Sequence, residues 1–147
     1  MEGTIRRSET TASPEAVFDV AADLAAYPEW TTGVASVDIL EVDDSGLAVR
    51  ARFELDGFIK RISYELLYEY ARPLQISWSA VAGDDIEEMQ GRYEFHARDG
   101  GGTEIVYALK VAPAFTVPGF LRQQAEKQIV TNALRGLRRR AEAIEGA

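Results

Sequence analysis

The sequence predicts a single α+β domain in which an antiparallel sheet with one apolar face is covered by a long C-terminal helix. Three observations carry this prediction: a helix-start signal follows the first β-patterned segment, six more β-patterned segments follow in series, and a helical pattern runs from residue 119 to about 144. At 1.5 Å per residue that last helix spans about 39 Å, which is long enough to lie across a whole sheet. The chain's 147 residues are a typical length for one domain with a sizeable core.

The first part of the chain carries one strand signal and one helix signal. Residues 3–11 alternate weakly and are predicted as a strand. The Ser-Pro-Glu sequence at 13–15 places Ser at the N-cap, Pro at the first helical position and an acid in the first turn. The helix ends before the Tyr-Pro-Glu-Trp sequence at 27–30, because a residue that precedes proline avoids the α region.

Six strand signals follow, each separated from the next by turn-forming residues. They span residues 34–42, 47–55, 58–70, 75–82, 85–97 and 103–112. Two-residue turns at 56–57 and 83–84 and a five-residue loop at 98–102 predict the register of three hairpins. The predicted opposed pairs are Leu55 with Phe58, Phe53 with Lys60, Trp78 with Met89, Phe95 with Ile105, and Tyr93 with Tyr107. In every hairpin the apolar faces coincide, as one-sided burial of a meander requires.

Composition excludes several function classes. With no Cys, the chain has no disulfide, thiolate metal site or cysteine nucleophile, and its single His excludes multi-His metal sites. That residue, His96, is expected to point outward. A formal net charge of −8 argues against nucleic-acid binding. Neither the acidic run at 84–88 nor the glycine run at 100–102 has the spacing or context of an ion or phosphate site. We therefore expect no cofactor and no metal.

No segment is apolar enough to predict a transmembrane helix, and the N-terminus lacks the apolar core of a signal peptide. We expect a cytoplasmic protein. Residues 117–147 carry six Lys or Arg against three Asp or Glu, so the predicted last helix is basic and the rest of the chain is acidic. This charge pattern favours a solvated helix face docked by complementary charge, and a partner-binding face is the alternative.

Three segments resemble a known superfamily. They are Ser-Pro-Glu-Ala-Val-Phe at 13–18, Tyr-Pro-Glu-Trp at 27–30 and the terminal helix segment at 133–142, and together with the element order they resemble the SRPBCC (START-like) superfamily over essentially the whole chain. The chain is most similar to its polyketide cyclase/dehydrase and coenzyme Q-binding branch. The resemblance implies the helix-grip fold: a curved seven-stranded antiparallel sheet wrapped around a long C-terminal helix, with two short helices between strands 1 and 2. It also implies a deep apolar cavity that binds lipids, polyketides, quinones or similar molecules.

The inward face of the predicted sheet is rich in aromatic side chains. The candidate ligand-binding residues on the sheet are Phe53, Phe58, Tyr64, Tyr68, Trp78, Met89, Tyr93, Phe95 and Tyr107. Rings of this kind either fill a core or line a ligand cavity, where they supply apolar area and stacking. Four tyrosine hydroxyls on one face need partners, which a ligand or cavity water could supply.

Polar residues interrupt the buried stripe of the last helix. Taking Leu137 as the centre of that stripe, Val130 and Ile144 fall within it, and Gln123 and Glu126 occupy its first half. Gln123 and Glu126 are therefore candidates for a ligand's polar end, with Val130 beside them. The alternatives are that this end of the helix tilts outward or that Glu126 pairs with Lys60 or a nearby Arg.

Four further residues are candidates at the rim of the cavity. Lys60 is the one cation on the inward face of its hairpin, where it either meets a ligand or extends to solvent. The proline-bounded link before the last helix is a candidate gate, in which Phe115 and Phe120 touch a membrane or partner or else cap the core. Trp30 either lines the cavity or plugs its end.

The most direct functional hypothesis is a non-catalytic binding protein for a hydrophobic small molecule. The first alternative is a polyketide aromatase/cyclase or dehydratase in which the cavity tyrosines, chiefly Tyr64, act with Glu126 or Lys60 as the acid or base. The sheet arginines are predicted to point outward, which disfavours that alternative. The second alternative is a partner-binding regulator that uses the basic helix. A homodimer is also compatible with the sequence.

Overall fold

In the computed structural model, residues 3–56 and 60–145 are described. Seven strands and three α-helices follow one another in the predicted order. The elements are β1 (Thr4–Thr10), α1 (Pro14–Ala22), a short 3-10 turn (Leu24–Ala26), α2 (Tyr27–Trp30), β2 (Val34–Val42), β3 (Ala48–Asp56), β4 (Arg61–Ala71), β5 (Gln75–Val81), β6 (Ile86–Ala97), β7 (Thr103–Pro113) and α3 (Gly119–Glu145).

The strands form one antiparallel sheet in the order β1-β7-β6-β5-β4-β3-β2. Six of them follow as a meander, and β1 joins the sheet beside the last strand. The long helix α3 contacts β1 and β7 as well as α1 and α2. The α+β helix-grip architecture predicted from the sequence is therefore confirmed.

One of the three predicted hairpin registers is confirmed and two are wrong. β6 and β7 pair Phe95 with Ile105, as predicted. β5 and β6 instead place Trp78 opposite Gly91, two residues from the predicted partner, Met89.

The hairpin between β3 and β4 is also shifted. Phe53 lies opposite Tyr64 and not Lys60, and Leu55 lies opposite Ile62 and not Phe58. The predicted turn included Gly57, which lies outside the described residues. The shift is four residues here and two in the β5–β6 hairpin. Because both are even numbers, the inward-facing residues are those predicted.

The helix start at residue 13 follows the predicted chemistry. The Ser13 hydroxyl accepts a hydrogen bond from the Ala16 N–H at 3.2 Å, and Pro14 begins the helix. The helix then buries Val17 and Phe18 completely. This capping bond satisfies one of the amide groups that a helix N-terminus leaves without an intrahelical partner.

Acidic side chains of α3 accept hydrogen bonds from the first strand and from the start of the first helix. The Thr4 and Thr10 hydroxyls at the two ends of β1 donate to Glu126 and Glu142, each at 2.7 Å. At the end of the helix, Glu145 accepts from both the backbone N–H and the hydroxyl of Ser13. The predicted complementary charge contributes one ion pair among the described residues, Arg140 to Glu29 at 3.2 Å. Docking therefore depends mainly on the apolar face of α3 and on these glutamates.

Candidate functional site

An open cavity of about 280 Å3 lies between the first half of α3, the link that precedes it and the ends of β3, β4, β6 and β7. We call it the outer cavity. Most of its wall is apolar. Much of that wall is formed by the side chains of Ile62, Ile86, Met89, Val111, Leu121 and Ile129. It has the concave apolar form that small-molecule sites share.

A smaller space of about 60 Å3, the inner chamber, adjoins the outer cavity deeper between the sheet and α3. The two share the side chains of Leu55, Tyr64, Met89 and Ile129 as walls. Aromatic rings dominate the chamber, and they are Tyr27, Trp30, Phe53, Tyr64, Tyr68, Trp78, Tyr93 and Tyr107. A ligand that entered from the outer cavity would meet ring faces and edges at the far end.

The rings of the chamber contact one another in a continuous series. Phe53 stacks on Tyr64 at a centroid distance of 5.6 Å, and Trp78 meets the edge of Tyr107 at 5.6 Å. Gly91 makes room for Trp78, because a Cβ at that position would overlap the indole ring. The glycine opposite Trp78 in the observed register is therefore a packing requirement of the chamber.

Four tyrosine hydroxyls of the chamber make no hydrogen bond to another described residue, and one of them belongs to the half-buried Tyr64. The other three belong to Tyr68, Tyr93 and Tyr107, whose residues are 6%, 2% and 5% exposed. Burial raises the pKa of each well above the usual value, and neighbouring tyrosines raise it further. At neutral pH these groups are neutral hydroxyls, so they can orient a ligand by hydrogen bonds but are poor bases.

Tyr64 and Trp30 are two further residues of the chamber wall. Burial raises the pKa of Tyr64 as well. The Trp30 ring packs on Tyr27 at 4.7 Å, and its Nε1 is buried without a hydrogen-bond partner among the described residues. The Tyr27 hydroxyl, by contrast, donates to the Ala21 carbonyl at 2.5 Å. Of the two roles that the sequence left open for Trp30, the structure shows that it lines the chamber.

Glu126 lies in the wall of the outer cavity and is 3% exposed. Its carboxylate accepts from the Thr4 hydroxyl at 2.7 Å, from the Val111 N–H at 3.1 Å and from Arg122 Nη1 at 3.4 Å. Of the alternatives for Glu126, the structure shows the pairing with a nearby Arg, and the side chain also lines the cavity. Both of its oxygens are engaged, which leaves it poorly placed to abstract a proton from a ligand.

Lys60 lies at the rim of the outer cavity with a side chain that is 48% exposed. Its Nζ is 2.7 Å from Asp85 Oδ1 and 5.2 Å from the centre of the Phe115 ring. Asp85 also accepts from the Ser63 N–H, and these contacts lower the pKa of its carboxyl. Lys60 thus joins the rim to the link before α3 and is already paired.

Some predicted ligand-binding residues do not line either space. Phe95 and Val130 are completely buried in the solid core, Phe95 against Phe18 and Tyr93. Phe120 is 69% exposed. Gln123 is exposed and belongs to the wall of neither space, so the prediction that it faces the cavity is wrong. Phe58 lies outside the described residues.

The structure adds cavity residues that the sequence analysis missed. Arg122 lines the outer cavity one turn before Glu126, and Gln128 and Asn132 border it too. The four-residue spacing between Arg122 and Glu126 is the signal that could have identified Arg122. The expected placement of Ile144 on the buried stripe is also wrong, because that residue is 56% exposed.

Within the described part of the chain, no group of three or more His, Asp or Glu side chains is arranged to hold a metal ion. His96 lies on the outside of the sheet and contacts Glu94 at 2.9 Å. No helix in residues 3–56 and 60–145 combines the length and apolarity needed to cross a bilayer.

Solved structures share this fold over nearly the whole chain. A START superfamily protein from Mycobacterium smegmatis superposes with a TM-score of 0.86 at 20% identity, covering 97% of this chain and 98% of that one. The Zhui aromatase/cyclase from a Streptomyces species gives 0.82 at 14% identity, covering 96% and 93%. A STAR-related lipid transfer protein from Xanthomonas axonopodis gives 0.71 at 19% identity, covering 94% and 84%. At these identities the likeness shows the fold alone.

No curated protein matches the chain in sequence. The family model described as polyketide cyclase/dehydrase and lipid transport matches residues 4–142. Helix-grip architecture, an apolar cavity beneath α3 and this match over nearly the full length agree with one another. The chain belongs to the polyketide cyclase/dehydrase and lipid transport family.

Proposed function

We propose that this protein binds a hydrophobic small molecule, of the lipid, quinone or polyketide kind, in the outer cavity and inner chamber, without transforming it. The observation that carries the proposal is the aromatic chamber, which adjoins an open apolar cavity and is lined by four tyrosines whose hydroxyls have no described protein partner. Apolar area would supply affinity, and the hydroxyls would supply orientation. The names of the structural relatives, one an aromatase/cyclase and one a lipid transfer protein, are compatible with such a ligand.

The pairing of the candidate acid and base groups supports binding without catalysis. Glu126 is engaged by three donors and Lys60 by Asp85. Burial holds Tyr64 in its neutral form, so it can donate a hydrogen bond but is a weak base. A general base must be free to reach the proton it removes, which Glu126 and Lys60 are not, and it must be deprotonated, which Tyr64 is not.

The test is a cavity-filling substitution with a matched control. Ala125 is half-buried and lines the outer cavity, whereas its neighbour Gln124 is exposed. Ala125→Trp should abolish the apolar molecules recovered by native mass spectrometry and weaken binding of the neutral fluorophore N-phenyl-1-naphthylamine at least about tenfold, because the indole occupies the ligand's volume. Gln124→Trp should leave both unchanged.

Three results would contradict the proposal. If the wild-type protein binds neither co-purified molecules nor the fluorophore, or if Ala125→Trp binds as well as the wild type, the cavity is not the binding site. Recovered ligand should also keep its mass when it is incubated with fresh protein. A loss of the mass of water would favour the dehydratase alternative instead.

A further inference from the structure

Arg122 is a largely buried cation whose hydrogen-bonding capacity is mostly unused. It lies at the start of α3, its side chain is 20% exposed, and it contributes to the wall of the outer cavity. Among the described residues, its guanidinium makes one hydrogen bond, from Nη1 to Glu126 Oε2 at 3.4 Å. A guanidinium has five N–H donors, so most of those of Arg122 are free to bond to water or to a ligand in the cavity.

The acceptors beside Arg122 are already occupied. Glu126 Oε1 takes the Thr4 hydroxyl, and Oε2 takes the Val111 N–H in addition to Arg122. This part of the wall therefore offers donors to a ligand and few free acceptors. A ligand that satisfies it must bring an acceptor oxygen.

The charges around the outer cavity indicate that this oxygen is uncharged. Arg122 is neutralised by Glu126, and the rim cation Lys60 is neutralised by Asp85 at 2.7 Å. An anionic ligand would place a second negative charge next to the buried Glu126 carboxylate, with desolvation and repulsion opposing it. A carbonyl or ether oxygen accepts from Arg122 without that cost.

We propose that Arg122 donates to an uncharged acceptor oxygen at the outer end of the ligand, and so selects apolar molecules that carry a carbonyl or ether oxygen at that end. This inference rests on the proposed function, because it assumes that the cavity binds an apolar body. It assigns Arg122 as a specificity-determining residue. The inner chamber then receives the part of the ligand that carries the rings or chain.

The test uses three probes of one shape: 2-acetylnaphthalene, 2-ethylnaphthalene and 2-naphthoate, titrated calorimetrically. Arg122→Met removes the donors and keeps much of the aliphatic length. It should weaken the binding of 2-acetylnaphthalene about tenfold, because a hydrogen bond to a charged group is lost. The affinity for 2-ethylnaphthalene should change less than about twofold. Arg122→Lys should keep part of the preference. Arg135→Met, on the exposed side of the same helix, should change neither affinity.

Each result decides between the claims. If Arg122→Met weakens the binding of the ketone and of the hydrocarbon equally, or weakens neither, the role of Arg122 is overturned. Either result leaves the proposed function intact. If 2-naphthoate binds more tightly than the ketone, the inference that the ligand's acceptor oxygen is uncharged is wrong. Binding of none of the probes to the wild type counts against the proposed function itself. Thermal unfolding of each variant shows whether it is folded. If Arg122→Met is not folded, Arg122→Lys is used for the comparison between the ketone and the hydrocarbon.

Discussion

Gly136 of α3 lies directly against the backbone carbonyl of Trp30. A Cβ at position 136 would overlap that oxygen and come within 2.9 Å of Trp30 Cε3. The glycine thus lets the long helix approach the end of α2 more closely than any other residue would. Because Trp30 lines the inner chamber, this contact also sets the position of one chamber wall.

Gly136→Ala should destabilise the protein by about 1–3 kcal/mol. Alanine is the better helix former by about 1 kcal/mol, but the overlap is with backbone that cannot rotate away, so overpacking outweighs propensity. Chemical denaturation measures the difference. Gly119→Ala is the control in the same helix, because a Cβ there meets nothing within 4 Å. It should change stability by less than about 1 kcal/mol, and an equal loss in both variants would contradict the packing argument.

Glu126→Ala should be among the most destabilising substitutions in α3, at about 2–4 kcal/mol. It leaves the Val111 N–H and the Thr4 hydroxyl, both in or beside the core, without their acceptor. Glu126→Gln should cost less, because an amide oxygen still accepts one of these bonds. Denaturation midpoints give both values.

Glu142→Ala is the matched comparison for that series. Glu142 accepts from Thr10 at the other end of β1, but its side chain is 38% exposed, so water replaces the lost bond. The expected loss is under about 1.5 kcal/mol. A loss at Glu142 as large as that at Glu126 would show that the two Thr–Glu bonds, and not burial, determine the cost.

Lys60→Met should change stability by less than about 1 kcal/mol although it removes a short ion pair to Asp85. An ion pair that reaches solvent contributes little, and here the Lys60 side chain is 48% exposed although that of Asp85 is 16% exposed. Asp85 keeps its bond from the Ser63 N–H, and the Met side chain keeps the apolar contact with Phe115. The same variant should bind N-phenyl-1-naphthylamine as the wild type does, since Lys60 lies at the rim. Melting temperature and probe titration check both statements, and a large loss of stability would mean that the rim is structurally essential.

The faces of the strands were predictable from the sequence, but two registers were not. Alternation assigns Phe53, Tyr64 and Trp78 to one face of the sheet. A register error of an even number of residues does not change that assignment. The residue opposite Phe53 depends on how many residues the turn takes. The two-residue turn predicted at 56–57 places Lys60 there, whereas the observed pairing places Tyr64 there and so completes the stacked pair.

The polar part of the site was less predictable for a geometric reason. Starting from Leu137, an ideal helix places both Arg122 and Gln123 near the edges of the buried face, on opposite sides. A small deviation accumulated over several turns decides which of the two is buried. In the structure Arg122 lines the cavity and Gln123 is exposed. Glu126, nearer the centre of that face, was placed correctly.

All six tyrosines have raised pKa values, chiefly through burial, and this predicts an alkaline limit to stability. An unfolded tyrosine releases its proton near pH 10, whereas the folded state retains it. Above pH 10 the unfolded state therefore binds fewer protons, so the free energy of unfolding is unaffected below that pH and falls as pH rises towards the folded pKa values.

Tyrosinate absorbance followed against pH measures this directly. In denaturant the tyrosines should ionise together near pH 10. In the folded protein the absorbance should lag and then rise together with the loss of far-ultraviolet circular dichroism, because ionisation and unfolding are linked. Tyr107→Phe removes one buried hydroxyl and should reduce the alkaline loss of stability, while its aromatic contacts with Tyr93 and Trp78 are kept. Ionisation of several tyrosines near pH 10 with the native spectrum intact would mean that the chamber is open to solvent. The ring-lined space would then be part of the surface and not a protected binding chamber.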